Sequence, residues 1–265
     1  MKYSFMTFST PELTLEQVLE AAGRFGYDGI EVRVDANHKH GVEVAADRKA
    51  RAEARRKAEA AGIPIACVAT SVQVANSETA KDMIAQALER IDLAAEVGAH
   101  RIRVFGGAFP ESQDRERATQ SAVESCKAIA DCAARRKVIV CIETHDAWCD
   151  PGHVAEVLRR VDHPFIACNW DIMHPIRAAG ATMDSAFGAL KPWIRHLHVH
   201  DGTLTDQKLV PIGEGAIDHR RAVELLLEAG YDGYLSGEWI GWEPWEVHLP
   251  RELATLKRYE DELGG

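Results

Sequence analysis

The chain has 265 residues, 46% of them hydrophobic, which is enough for one large core and fits the ~250 residues of a single α/β barrel. Its 31 Lys and Arg against 41 Asp and Glu give a formal charge of −10, which argues against the broad basic footprint of a nucleic-acid-binding protein. The sequence has no apolar run of the ~18 residues a membrane span needs, and Met1-Lys-Tyr-Ser-Phe-Met6 leads into a strand-like segment without a signal-peptide layout.

Short β-type runs alternate with longer helical stretches. The first strand falls near Tyr3–Phe8. A helix opens at Thr14, which forms a capping box with Gln17, and closes at Phe25-Gly26, where glycine suits the left-handed position past a helix end. Strand two is Gly29–Val34. An Ala-rich helix from about Ala45 to Ala61 carries Arg48, Lys49, Arg51, Arg55, Arg56 and Lys57, which read as a solvated outer face. Strand three is Pro64–Ala69, followed by a helix over about Glu78–Val97. Strand four is Arg101–Phe105 and its helix about Arg115–Arg136. Strand five closes at Glu143, with a helix near Gly152–Val161. Strand six closes at Asp171, with a short helix near Met183–Leu190. Strand seven covers the His196–His200 region, with a helix near His219–Ala229. Strand eight ends near Glu238, and a last helix covers about Pro250–Leu263.

Eight β–α units, roughly one per 30 residues, predict a (β/α)8 TIM barrel in the α/β class, a single domain over residues 1–265. A doubly wound open sheet is the competing architecture. Its dinucleotide-binding form is disfavoured, because no Gly-x-Gly-x-x-Gly follows the first strand. Gly26-Tyr-Asp-Gly29 recurs as Gly230-Tyr-Asp-Gly233, each time turning a helix into a strand. The six cysteines (Cys67, Cys126, Cys132, Cys141, Cys149 and Cys168) contain no C-x-x-C pair, and reduced thiols in a cytoplasmic protein are expected.

Four strand ends carry the chemistry. Glu143, Asp171, His198 and Glu238 each close an apolar run, at intervals of 28, 27 and 40 residues. An acidic or imidazole group at such a place is costly to bury unless it is paired or bound to a metal. In a parallel barrel these ends share one mouth, where three carboxylates and an imidazole would form a hard, oxygen-rich divalent-metal site. His196, His198 and His200 alternate with period two and so share a face. Glu31 and Arg33 project from one face of strand two and Arg103 from strand four. An inward arginine can clamp a substrate hydroxyl or carboxylate, or these groups can pair within the barrel. Trp239, Trp242 and Trp245 follow the last acidic strand end, where indoles can stack on a sugar or form a subunit contact.

Glu143 in Ile-Glu-Thr-His145, Asp171-Ile-Met-His174, His198-Val-His-Asp201, Ile212-Gly-Glu-Gly-Ala-Ile-Asp218 and the segment from Gly230 to Glu238 resemble the xylose isomerase-like TIM-barrel superfamily, and within it the sugar phosphate isomerase/epimerase group. The resemblance runs over essentially the whole chain. It implies one divalent cation, Mn²⁺ or Mg²⁺ with Co²⁺ or Zn²⁺ as alternatives, held by Glu143, Asp171, His198 and Glu238. It also implies that the two metal-bound glutamates, Glu143 and Glu238, form the acid/base pair. His174 would contact substrate oxygen beside the metal. His145 would face the pocket, and His200 stands where a lysine often serves the substrate. Glu31 and Arg103 complete the candidate substrate contacts.

The reaction implied is isomerisation or epimerisation of a sugar or keto-polyol, by removal of the proton next to a carbonyl and a metal-stabilised enediolate. The alternative is a dehydratase or lyase acting on a keto-sugar or keto-cyclitol from the same metal site. An apurinic-site-type endonuclease is remote, because residues 205–213 lack the Asp-x-His that such enzymes carry before their Gly-x-Gly turn, and the chain is acidic. A non-catalytic sugar-binding barrel would be expected to have lost a ligand, and none is missing. The sequence shows no Gly-rich phosphate cradle, so an unphosphorylated small-molecule substrate is favoured, with neither nucleic acid nor membrane as partner. A homo-oligomer is an open option.

Overall fold

In the computed structural model the described residues are 1–205 and 208–264. Eight parallel strands close into a barrel: β1 (Lys2–Met6), β2 (Gly29–Arg33), β3 (Ile65–Gln73), β4 (Arg101–Phe105), β5 (Ile139–Glu143), β6 (Ile166–Asp171), β7 (Ile194–Val199) and, last in the chain, β10 (Tyr234–Gly237). Each strand pairs with its sequence neighbour in the barrel, and β1 pairs with both β2 and β10. Between β7 and β10 lies a small antiparallel ribbon, β8 (Asp201–Gly202) and β9 (Leu209–Val210). Around the barrel run α1 (Leu15–Phe25), α2 (Arg48–Ala61), α3 (Ala80–Val97), α4 (Arg115–Arg136), α5 (Pro151–Val161), α6 (His174–Ala179), α7 (Met183–Leu190), α8 (His219–Glu228) and α9 (Trp245–Gly264).

Local chemistry sets the helix ends. The Thr14–Gln17 capping box is present at the start of α1, and Asp47, Asp114, Asp150 and Asp218 accept backbone N–H groups at the starts of α2, α4, α5 and α8. Gly26, at the end of α1, has φ of +83°, a left-handed conformation that glycine adopts without steric cost. Helix α2 buries only the small Ala54 and Ala58 among its own residues. Arg55, on Glu59, and Lys57, on Glu16, face outward as expected for a solvated face, but Arg51 is only 15% exposed and turns in to Glu96 of α3. The main core lies between barrel and helices: Val18, Ile91, Leu93, Val104, Ile129, Val157 and Leu197 are buried in one continuous cluster. Each such side chain contributes about 1.5–3 kcal/mol relative to an exposed one.

Several boundaries differ from the sequence expectation. The first strand stops at Met6, and Thr7–Ser9 turn as a 3₁₀ helix, because the Thr7 hydroxyl accepts the backbone N–H of Arg33. Strand β3 continues past Ala69 to Gln73, where Gln73 pairs with Phe105 of β4. Helix α9 begins at Trp245 and keeps Pro250 inside it. Its first turns are held by long-range contacts: His248 reaches the Ser9 hydroxyl at 3.0 Å, and Tyr27 Oη donates to the Leu249 carbonyl at 2.8 Å. Helix α6 and the β8–β9 ribbon carry too short a pattern to be read in advance. Part of the 205–213 segment, Asp206 and Gln207, lies outside the described residues.

All six cysteines are free, and Cys67, Cys126, Cys141 and Cys168 are fully buried. Burial pushes the Cys126 and Cys141 thiols up to about 12. No described helix is long and apolar enough to cross a membrane.

Two stability outcomes follow from packing. A Cβ at Gly106 would collide with the Trp148 indole, which is itself fixed by its Nε1–H donating to the Gly107 carbonyl. Gly106→Ala is therefore expected to destabilise by about 1–3 kcal/mol, read from the denaturant midpoint. His40 is buried, its Nε2 on the Arg33 carbonyl and its Nδ1 accepting the Val42 N–H. Burial, with His38 nearby, lowers its pKa to about 4 against the hydrogen bond to Arg33. The unfolded chain thus binds this proton first, so the neutral ring's stability is complete above pH ~6.5 and falls as pH drops towards 4, by up to about 3 kcal/mol. His40→Gln is expected to flatten that part of the stability–pH curve.

Candidate metal centre and active site

The parallel barrel brings the predicted strand ends to one place. Glu143 and Asp171 are the last residues of β5 and β6, His198 is the penultimate residue of β7, and Glu238 follows β10 directly. All four are buried, and one donor atom from each lies within 4.8 Å of the others. Register accounts for this: Asp171 pairs with His198 across β6 and β7, and Val199 pairs with Gly237 beside Glu238.

The contacts centre on the His198 ring. Nδ1 lies 2.5 Å from Glu143 Oε1 and 3.2 Å from Glu238 Oε2, and Nε2 lies 3.1 Å from Glu31 Oε1. Asn169 Nδ2 is also within 3.1 Å of Nδ1. Burial disfavours a charged imidazole, but Glu31, Glu143 and Glu238 outweigh it and hold His198 well above the usual histidine range. Burial likewise raises Glu238, yet the charge and hydrogen bond of His198, with Arg103 and His200, bring it down to about 2.

Backbone and side-chain bonds hold Asp171. Its Oδ1 accepts the N–H groups of Met173 and His174 at 2.8 and 2.9 Å, at the start of α6. Thr144 accepts the Asp171 N–H and donates to its carbonyl, both at 3.0 Å. The other oxygen, Oδ2, faces His200 Nε2 at 2.7 Å and His174 Nε2 at 3.9 Å. Arg103 is fully buried. Its Nη1 donates to the Thr70 carbonyl at 2.9 Å, its guanidinium stacks 3.9 Å from the centre of the Phe105 ring, and its Nε lies 3.3 Å from Glu143 Oε2. His145 meets His174 ring to ring at 4.2 Å and bonds Asp146 at 2.7 Å. Burial lowers His145, but the Asp146 hydrogen bond and the Glu143 and Asp171 charges lift it to about 9.

Of the expected contacts, His145, His174 and His200 thus form a rim of imidazoles beside Asp171, and Arg103 lies against Glu143. Glu31 lies on the far side of His198, with its oxygens engaged by His196 and His198. The three tryptophans do not form one platform. Trp239 is buried against His248, Trp242 lies against His248 and Arg251, and Trp245 packs on Phe25 of the outer helix α1. Of the two readings, stacking at the mouth or a subunit contact, Trp245 on the outer helix layer does not share the first with Trp239. Asn169 and Thr144 were not expected as contacts, whereas His196 lies on the face it shares with His198, as its spacing implied. Asn169 stands two residues before Asp171 on the same strand, a period-two signal that could have found it. Asp201 supports the fold: its carboxylate accepts the N–H groups of Gly202, Gly213, Gly215 and Ile217, tying down the loop before α8.

The donor set fits a divalent cation. Glu143 Oε2 is buried with no hydrogen-bond partner among the described residues; Arg103 Nε stands 3.3 Å from it as a counter-charge, and its lone pairs are free of N–H donors. Three carboxylates, one imidazole and no thiolate suit Mg²⁺ or Mn²⁺ chemistry.

Residues 19–259 match the family model of the xylose isomerase-like TIM barrel. The chain is 25% identical over 176 residues to a 3-dehydroshikimate dehydratase of Bacillus anthracis, a match covering 59% of this chain and 61% of that protein, less than two thirds of its length. Its fold is similar to the crystal structure of the probable 3-DHS dehydratase AsbF of Bacillus anthracis (TM-score 0.81, 22% identity, 97% of this chain and 99% of that one). It is also similar to that of a D-tagatose 3-epimerase-like protein (TM-score 0.83, 18% identity, 100% and 98% covered). By the family match over most of its length, on the same fold and with the strand-end cluster in place, the chain belongs to the xylose isomerase-like TIM-barrel family.

Proposed function

We propose that this chain is a divalent-metal-dependent isomerase or epimerase of a sugar or keto-polyol, acting as one domain on a small, unphosphorylated substrate. The observation that carries the reading is the convergence of Glu143 Oε1 and Glu238 Oε2 on one atom, His198 Nδ1, at 2.5 and 3.2 Å. Glu143, Asp171, His198 and Glu238 would hold the cation. Once bound, it would supply Lewis-acid polarisation of a substrate carbonyl and so acidify the neighbouring C–H.

The chain's own residues do the rest. One glutamate takes the proton from carbon, leaving its electron pair in the substrate, and the other returns a proton to the opposite face. A carboxylate beside a bound cation is a weak base, so the step depends on an acidified substrate. Arg103 fixes the Glu143 carboxylate, and the reciprocal Thr144 bonds fix Asp171. His174, His145 and His200, which meet ring to ring on the Asp171 side, would contact substrate oxygens.

The likeness to a 3-dehydroshikimate dehydratase supports a second reading. In it the same proton is removed, and a hydroxyl on the next carbon then leaves as water. His145, protonated near neutrality, would hand that hydroxyl its proton. A screen of ketoses and keto-polyols in D₂O with added Mn²⁺ separates the two. Solvent deuterium in recovered sugar, with no loss of water, supports the epimerase, and loss of water supports the dehydratase. Absence of both across the screen overturns proton abstraction.

Glu143→Gln and Glu238→Gln are each expected to lower turnover at least 10²–10⁴-fold with the fold intact, and normal turnover by either variant refutes the acid/base assignment. One divalent ion per chain is expected by metal analysis after reconstitution, with activity lost to a chelator and restored by Mn²⁺. His174→Ala is expected to raise KM more than it weakens Mn²⁺ binding, and the reverse ranking would make His174 a ligand.

A further inference from the structure

Glu31, on β2, is fully buried and lies across the barrel interior from β7. Its Oε2 lies 2.8 Å from His196 Nε2, and its two oxygens lie 3.1 and 3.2 Å from His198 Nε2. A carboxylate only accepts hydrogen bonds, so it sets the tautomer of the rings that touch it. With Nε2–H of His198 turned towards Glu31, the lone pair of a neutral ring lies on Nδ1. That is the atom on which Glu143 and Glu238 converge. Those carboxylates accept a proton from Nδ1 by the same rule while no cation is bound; a cation between them would take that proton's place, and Glu31 then keeps the remaining N–H on Nε2. His196 sits two residues back on the same face, its ring centre 5.6 Å from that of His198, and its donor takes up Oε2 of Glu31. Its own Nδ1 is buried without a partner among the described residues, so its one bond in the barrel is the bond to Glu31.

We propose that Glu31 and His196 are positioning residues: Glu31 holds His198 in the tautomer and orientation that present Nδ1 to the cation, and His196 holds Glu31. This rests on the reading of His198 as a metal ligand. It moves Glu31 from a substrate contact to a support of the metal centre. Partners of this kind behind a ligating histidine typically change metal affinity by about 10–100-fold.

The test is Mn²⁺ titration of the chelator-treated full chain, with free Mn²⁺ read by electron paramagnetic resonance, alongside the visible absorption of the Co²⁺-loaded protein. Glu31→Gln keeps the shape but removes the charge and one acceptor. It is expected to weaken the Mn²⁺ Kd about 10–100-fold and to change the Co²⁺ spectrum. His196→Leu, which removes the donor to Glu31, is expected to weaken binding less than Glu31→Gln. His196→Gln, which keeps a donor, is expected to restore most of the loss. That rescue carries the test if Glu31→Gln fails to fold. Wild-type affinity in both Glu31→Gln and His196→Leu, while Glu143→Gln loses binding, overturns the positioning role and leaves the metal centre standing. An unsubstituted chain that takes up no Mn²⁺ overturns the ligand reading itself, and this inference with it.

Discussion

Like charges brought together out of water are the constraint on which the rest of this barrel depends. Closing eight parallel strands aims their C-terminal ends at one mouth, and here several of those ends are acidic. Carboxylates a few ångströms apart in a dry site repel, and each has also lost its hydration. The surroundings read as a set of compensations: imidazoles between the carboxylates, a buried guanidinium against Glu143, and backbone N–H groups on Asp171. What remains is a set of oxygen and nitrogen donors close enough together to hold a metal ion.

Much of the architecture was legible in the sequence because local signals agreed with the tertiary result. Strand and helix periods alternated eight times, and acidic or hydroxyl caps with left-handed glycines marked many helix ends. Strand β4 and helices α4 and α7 have the expected bounds. Where the reading failed, a distant partner decided the outcome. Thr7 leaves the first strand to serve a backbone group of β2, and Pro250 is carried inside α9 by turns anchored on Ser9 and Tyr27. No local pattern encodes a partner more than 200 residues away, as both Ser9 and Tyr27 are.

The candidate site divides in the same way. The strand-end acids were visible because a charge that closes an apolar run is an anomaly in itself. The direction in which a side chain's second atom points has no such signature. Glu31 and Arg33 share a face of β2, yet Glu31 turns to the histidines, while Arg33 bonds backbone carbonyls and Ser71. His198 on β7 and His200 just past its end share a face, but one meets Glu143 and the other Asp171. Strand periodicity assigns residues to the interior. The pairing among them is settled by barrel stagger, which the sequence does not display.

The thiols on the barrel strands have a consequence of their own. Cys67, Cys141 and Cys168 lie on three of the parallel strands, fully enclosed and held in the protonated form by burial. A thiol in that state is a poor nucleophile and is shielded from reagents. In the intact barrel these sulfurs are therefore chemically silent, and they become reactive once the strands part. Their alkylation would act as a built-in clock for the opening of the barrel, independent of whatever the mouth of the protein does.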